Sequence, residues 1–291
     1  ESSKSKLSRI RKEMEDAGCD THIVSTLDDI CWTLNIRGND IDFFPLVLSY
    51  AIIKKDSFEL YIDERKLDEK LKSILKKDDV ILHPYNDIYE DVKKLPENAT
   101  VLIDKAKLNY AIFNNIPKSV PIVNKRNPEI LMKALKNPVE VENIKKAEIK
   151  DSVAHVRFMK WLKENLGKIK ITEMSASEKL DEFRAEMGNF IRDSFEPISS
   201  YGPHSAIVHY SSSPETDVEL KAGSLYLSDT GAGFYEGSTD ITRNYALGEV
   251  PEKISRLLPS VIYNLRVPSS CKAPPGSLWI FWQENLSGTG D

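Results

Sequence analysis

Cysteine is scarce: Cys19, Cys31 and Cys271 are the only three in 291 residues, with no CxxC pair and no spacing of a disulfide framework. That fits a reducing compartment. No charge of one sign dominates, since 40 Lys and Arg against 45 Asp and Glu leave a formal net charge of -5, so no nucleic acid partner is expected. No apolar run is long enough to cross a bilayer, and the polar stretch from Glu1 to Arg11 lacks the apolar heart of a signal peptide. The cytoplasm is the expected location, with no membrane partner. GxGxxG and GxxxxGK are both missing, which leaves a dinucleotide or P-loop nucleotide site without support. Histidine is sparse too: there are five, and none follows His209.

The length suits one large or two ordinary domains. Leu7, Ile10, Met14 and Ala17 recur at helical spacing, with Gly18 as a stop signal. A strand is expected at His22–Ser25 and a helix from Asp28 to Leu34. Leu46–Ile53 and Phe58–Ile62 read as a hairpin around Lys54, Lys55 and Asp56. From Leu67 to Val123 short helices alternate with strands, the rhythm of a layered α/β domain. His22 and His83 stand at strand ends without a ligand-type neighbour at a short fixed offset, so both read as structural. Arg37 is either a surface charge at a helix end or a group that meets a ligand.

Asn127-Pro128 and Asn137-Pro138 bracket a short helix-prone run and mark a boundary. Ile144, Ala147, Ala154, Phe158, Trp161 and Leu162 keep a 3.6 period in the amphipathic helix that follows. His155 lies off its densest apolar stripe. The next helix is expected to be capped by Ser175, with Glu178 three residues on. In Phe195–Tyr210, Pro197, Gly202 and Pro203 constrain a loop, and Ala206–Val208 reads as a strand delivering His209. His204 is expected at the surface.

The most informative stretch is Leu225–Gly248, LYLSDTGAGFYEGSTDITRNYALG. Leu225, Leu227 and Asp229 share one strand face, and Thr239–Leu247 forms a second strand. Gly231, Gly233 and Gly237 permit a tight or bulged connection that returns Asp240 across the sheet from Asp229. Two carboxylates held together repel, so they call for a shared proton or a cation. By local pattern alone, an acidic hairpin on a solvated face and a metal site remain equally open.

Asp229-Thr230-Gly231-Ala232, a short turn, and Thr239-Asp240-Ile241-Thr242-Arg243 resemble the first metal-ligand segment of the pita-bread metallopeptidases, specifically the Xaa-Pro aminopeptidases (aminopeptidase P). The run around Trp32 with Asn35-Ile36-Arg37-Gly38 resembles the middle domain of the three-domain members, and NPVEVENIKKAEIKDSVAHVRFMKWL resembles the opening helix of their catalytic domain. The resemblance implies an α/β chain: a creatinase N-terminal-like layered domain over 1–126, a linker over 127–137, and an incomplete α+β pita-bread catalytic domain over 138–250. Residues 251–291 stand as an atypical tail, out of frame or disordered; the first of three family domains is missing from the sequence. It also implies metal-dependent hydrolysis of the Xaa-Pro bond in short peptides with proline at the second position. Asp229 would bind one ion, Asp240 would bridge two, and His209, closing its loop, would face substrate and donate to a carbonyl oxygen or oxyanion. Arg37 would contact substrate.

Oxygen ligands suit a hard divalent ion, manganese first. The complete family site needs a further histidine and two glutamates beyond this hairpin, so two manganese ions belong to that site and none is expected to bind stably here. From Leu257 onward Pro259, Pro268 and Pro274-Pro275 interrupt any helix, which is the expectation of a truncated or frame-shifted gene. The chain is thus expected to be an inactive relative, with a homodimer implied by resemblance. A non-catalytic peptide-binding or scaffolding protein of the same fold, and a prolidase- or creatinase-type relative, are the other two readings.

Overall fold

The structure, a computed structural model, describes residues 1–252. The expected atypical tail falls, from residue 253 on, outside the described residues.

The first part is built on a six-stranded sheet. In chain order come α1 (Ser3–Asp16), β1 (Thr21–Val24), α2 (Leu27–Leu34), β2 (Ser49–Lys54), β3 (Phe58–Ile62), α3 (Glu69–Lys77), β4 (Val80–His83), α4 (Ile88–Asp91), β5 (Val101–Ile103), α5 (Tyr110–Asn115) and β6 (Ile122–Asn124). The sheet order is β4-β3-β2-β1-β5-β6. β2 pairs antiparallel with both neighbours, while β3–β4, β1–β5 and β5–β6 are parallel. The hairpin expected around Lys54-Lys55-Asp56 forms with Ile53 opposite Phe58. Period-two alternation then splits each strand between two cores. Phe58, Leu60 and Ile62 pack with Leu7, Ile10 and Met14 of α1 on one face. Tyr61, Ile52 and Ile103 pack with Ile88, Val92 and Ile112 on the other. Helices cover both faces, so the strands are apolar on both sides.

The stretch 127–137 carries a helix, α6 (Pro128–Ala134), that packs against α2. Its buried Glu129 carboxylate meets Nε2 of the buried His22 at 3.3 Å, and Nδ1 of that ring pairs with the Leu102 carbonyl at 3.0 Å. Both ring nitrogens of His22 are thereby satisfied, as a structural histidine requires.

α7 (Pro138–Asn165) begins with a capping box between Asn137 and Glu140. Ala147, Ala154, Phe158 and Leu162 form its buried face. α8 (Glu173–Glu186) packs across it and is capped by Thr172, not Ser175: the Ser175 backbone N–H donates to Thr172 Oγ1 at 3.2 Å and the Thr172 N–H to Ser175 Oγ at 2.8 Å. Ser175 is the third residue of that box, so the expected cap lies three residues past the actual one.

Two small sheets complete the described chain. β7 (Phe190–Asp193), β10 (Ala232–Phe234) and β11 (Gly237–Ser238) form one in the order β11-β10-β7; β8 (Ile198–Tyr201), β9 (Ser224–Thr230) and β12 (Ile241–Leu247) form the other in the order β12-β9-β8. The connection from β9 to β12 is therefore no tight turn. It leaves its own sheet, contributes two strands to the other, and returns. Ala206–Val208 is no strand either: Gly202–Ala206 is a 3-10 turn, and Ile207 and Val208 are 54% and 82% exposed. Three apolar residues in a row carry no period, so nothing in them distinguishes a buried strand from an exposed loop tip.

Candidate metal centre

β9 and β12 pair antiparallel through seven residues, from Leu247 opposite Ser224 to Ile241 opposite Thr230. Tyr226, Ser228 and Thr230 turn inward, which leaves Leu225, Leu227 and Asp229 on the half-exposed face. One oxygen of Asp229, Oδ1, accepts a hydrogen bond of 2.6 Å from Thr242 Oγ1 across the ladder. Asp240 is exposed and sits one residue before β12, just past the last ladder pair. The ladder thus brings the two aspartates to the same end of one strand pair. Among the described residues neither Asp240 oxygen accepts a hydrogen bond. Two hard oxygen donors free of protein partners fit a divalent cation, yet no group of three or more His, Cys, Asp or Glu able to hold a metal is found among the described residues. The pair fits as part of a ligand set.

The glycine between them is dictated by packing. A Cβ on Gly231 would lie 2.1 Å from Ser194 Oγ and 2.2 Å from the Thr239 carbonyl oxygen. Only hydrogen fits between the outgoing and returning segments.

Beneath the aspartates is an ionic network that the sequence reading missed. Arg184 of α8, fully buried, donates to Asp151 of α7 at 2.9 and 3.4 Å, to Asp181 at 3.0 Å, to Asp193 of β7 at 3.2 Å, and to Thr230 Oγ1 at 2.8 Å. Thr239 Oγ1 donates to Asp151 Oδ2 at 2.5 Å and accepts from the Ala232 N–H at 2.8 Å. Burial opposes the charge on Arg184, but the Asp151 and Asp181 carboxylates hold its pKa above the usual value. Burial and the adjacent Asp181 push Asp193 up to about 7. Burial pushes His155 down to about 4 against the attraction of Asp151, so the ring is neutral near pH 7; its Nδ1 pairs with Tyr245 Oη at 3.4 Å. Glu148 of α7 is raised by burial, with Asp151 and Asp240 adding to it.

His209 is exposed and adopts a left-handed backbone, φ +56°. Its neighbour Tyr210 is buried and donates to Glu173 Oε2 at 2.8 Å. Glu173, itself fully buried, also accepts from the Tyr201 N–H at 2.6 Å and pairs with His204 Nδ1 at 3.0 Å. His204 stacks on Tyr210 with ring centroids 4.5 Å apart. It is half-buried, where a surface position was expected, and with Glu173 it pins the loop that ends in His209. Arg37 is exposed and donates to the Ile36 carbonyl at 3.0 Å. Two residues on, the Asn39 side chain accepts from Arg192 of β7, and a cavity of about 380 Å³ between them is lined by Phe43, Asp181 and Asp193. The loop carrying Arg37 therefore touches β7, although Arg37 meets neither aspartate.

Residues 1–140 match the Creatinase/Prolidase N-terminal domain, and residues 142–262 match Metallopeptidase family M24. A probable Xaa-Pro aminopeptidase P from Sordaria macrospora is 36% identical over 255 residues, covering 84% of this chain and 42% of the relative. Xaa-Pro aminopeptidase 1 from Dictyostelium discoideum is 36% identical over 251 residues, covering 85% of this chain and 40% of the relative. Among solved structures, an X-prolyl aminopeptidase from Caenorhabditis elegans, described as a cytosolic enzyme with a di-nuclear active site, superposes with a TM-score of 0.81 at 29% identity, over 87% of this chain and 42% of that one. A layered α/β unit followed by part of a pita-bread unit is the fold this chain shares with these proteins. Its second half is similar to the M24 metallopeptidases, and its similar relatives are Xaa-Pro aminopeptidases. The chain spans less than half the length of each of these relatives. Among the described residues no helix is long and apolar enough to cross a membrane.

Proposed function

We propose that this chain is part of a cytoplasmic aminopeptidase that removes the N-terminal residue from short peptides with proline at position two. The observation that carries the reading is the return of Asp240 to the end of the strand pair that bears Asp229, with both Asp240 oxygens free. In this reading Asp229 and Asp240 hold two divalent ions, manganese by ligand hardness, together with a histidine and two glutamates of the complete family site. Bound ions would activate a water and stabilise the oxyanion of the tetrahedral intermediate. The exposed imidazole of His209 donates to the substrate carbonyl, and a left-handed residue at the end of a pinned loop keeps it turned outward. Arg37 acts as a substrate contact from the neighbouring unit, and the assembly is a homodimer.

Two aspartates alone do not make a site with an open water position. The 291-residue chain by itself therefore has no turnover, and its units are 1–126 and 138–250, joined through 127–137. The test is hydrolysis of an Ala-Pro dipeptide with manganese added. Release of alanine by the purified chain would contradict the proposed inactivity; a full-length relative carrying this hairpin should release it and lose the activity with Asp240→Asn.

A further inference from the structure

The two threonines next to the aspartates are both anchored to one buried ion pair. Thr230 follows Asp229 and accepts from Arg184; Thr239 precedes Asp240 and donates to Asp151, which is itself bonded to Arg184. We propose that Asp151 and Arg184 are positioning residues that set the separation of the Asp229 and Asp240 carboxylates. The proposal rests on the reading of that pair as metal ligands.

The argument starts from what the ladder leaves undone. Asp229 is inside the β9–β12 pairing, opposite Thr242, so inter-strand hydrogen bonds fix its backbone. Asp240 is outside it. The last pair is Ile241 with Thr230, and the chain before that comes from a different sheet. What holds residue 239 is a set of local bonds: its N–H to the Ala232 carbonyl at 2.9 Å, its carbonyl accepting from Ser194 Oγ at 2.8 Å, and its hydroxyl bridging Ala232 N–H and Asp151. Of these only the hydroxyl reaches the helices. It connects the Asp240 side of the pair to the carboxylate whose partner, Arg184, holds the Asp229 side.

The cost of the network points the same way. A guanidinium and the carboxylates around it, taken out of water, contribute little net stability compared with apolar packing of the same volume. Their placement is what a hydrophobic core could not supply: directional bonds from α7 and α8 to the residues flanking each aspartate. Groups that hold metal ligands in this way alter metal affinity when removed even though they touch no metal.

The experiment uses the 291-residue chain and manganese chloride alone, read by paramagnetic broadening of the backbone amides of Asp229 and Asp240. In the parent chain both amides broaden at the same manganese concentration, ahead of exposed carboxylates elsewhere such as Glu215. Thr239→Val keeps the shape and removes the hydroxyl; the concentration that half-broadens Asp240 then rises by about tenfold while Asp229 changes less. Thr239→Ser restores the hydroxyl and the parent behaviour. If Thr239→Val does not unfold cooperatively, Thr230→Val carries the same comparison, with the larger change now at Asp229. Equal broadening in parent and valine variants, or a serine variant that behaves like valine, overturns the positioning role. Absence of preferential broadening in the parent chain overturns the metal-ligand reading and this inference with it.

Discussion

Around the six-stranded sheet the buried surface is aliphatic and aromatic on both faces, from Leu7 and Phe58 on one side to Ile23 and Ile103 on the other. Charge enters there mainly as local pairs, His22 with Glu129 and Asp29 with Lys133. Around β9 and β12 the largest fully buried side chain is an arginine with three carboxylates about it. Any well-packed arrangement of apolar groups of the right volume would hold the first region. The second needs particular donors aimed at particular acceptors, and those acceptors flank the two candidate ligands. The difference separates a region held by apolar packing from one held by directional bonds to the residues beside two carboxylates.

The largest effects should come from the second region. Arg184→Met leaves Asp151 and Asp193 buried without their cation and is expected to lower stability by about 3–5 kcal/mol in urea unfolding. Leu60→Ala in the first region is expected to cost about 2–5 kcal/mol through a cavity. The contrast lies in metal response: Leu60→Ala leaves manganese binding unchanged, whereas Arg184→Met removes it even under conditions where the variant is folded. Equal metal responses would break the comparison.

Gly231→Ala is next. A methyl group placed against backbone oxygen must push the returning segment aside, at about 1–3 kcal/mol, and the expected signature is a shifted Asp240 amide with the Leu60 environment intact. An unshifted amide would show that the segment gives way elsewhere.

The smallest effects are in pH, and the two buried histidines should respond with opposite sign. His22 keeps a raised pKa because Glu129 and the Leu102 carbonyl outweigh burial. Its contribution is full below about pH 6.5 and lost as pH rises through the raised value. His155 is depressed to about 4, so the unfolded chain takes up a proton that the folded chain refuses between there and its ordinary 6.5. Stability from that site falls as pH drops through this window. His155→Gln should flatten the acid-side loss of urea midpoint, and His22→Gln should cost most on the acid side. Parallel profiles would contradict both assignments.

Much of the first region was legible because its elements carry clean periods. The hairpin at Lys54–Asp56 and the α1 stripe are both apolar patterns bounded by turn or cap residues. The pairing of β9 with β12, which brings Asp229 and Asp240 to one end, was legible in the strand patterns, though the excursion of β10 and β11 into another sheet was not: the glycines that permit a tight turn equally permit a longer path. Asp151, Glu173 and Arg184 were overlooked because charged residues on a helix usually face water. A signal existed. Asp151 falls on the line of Ala147, Ala154 and Phe158, and Arg184 on that of Ala176 and Leu180, where a solvated charge has no place. A charge inside an apolar stripe marks a buried partner, and here the partners were each other.

The most direct test of the account is calorimetric titration of the 291-residue chain with manganese, beside Asp229→Asn and Asp240→Asn. Weak binding heat in the parent chain, short of a stable complex, that disappears in each variant is the predicted result. Heat that survives both substitutions unchanged would contradict the assignment of the strand pair as a metal site.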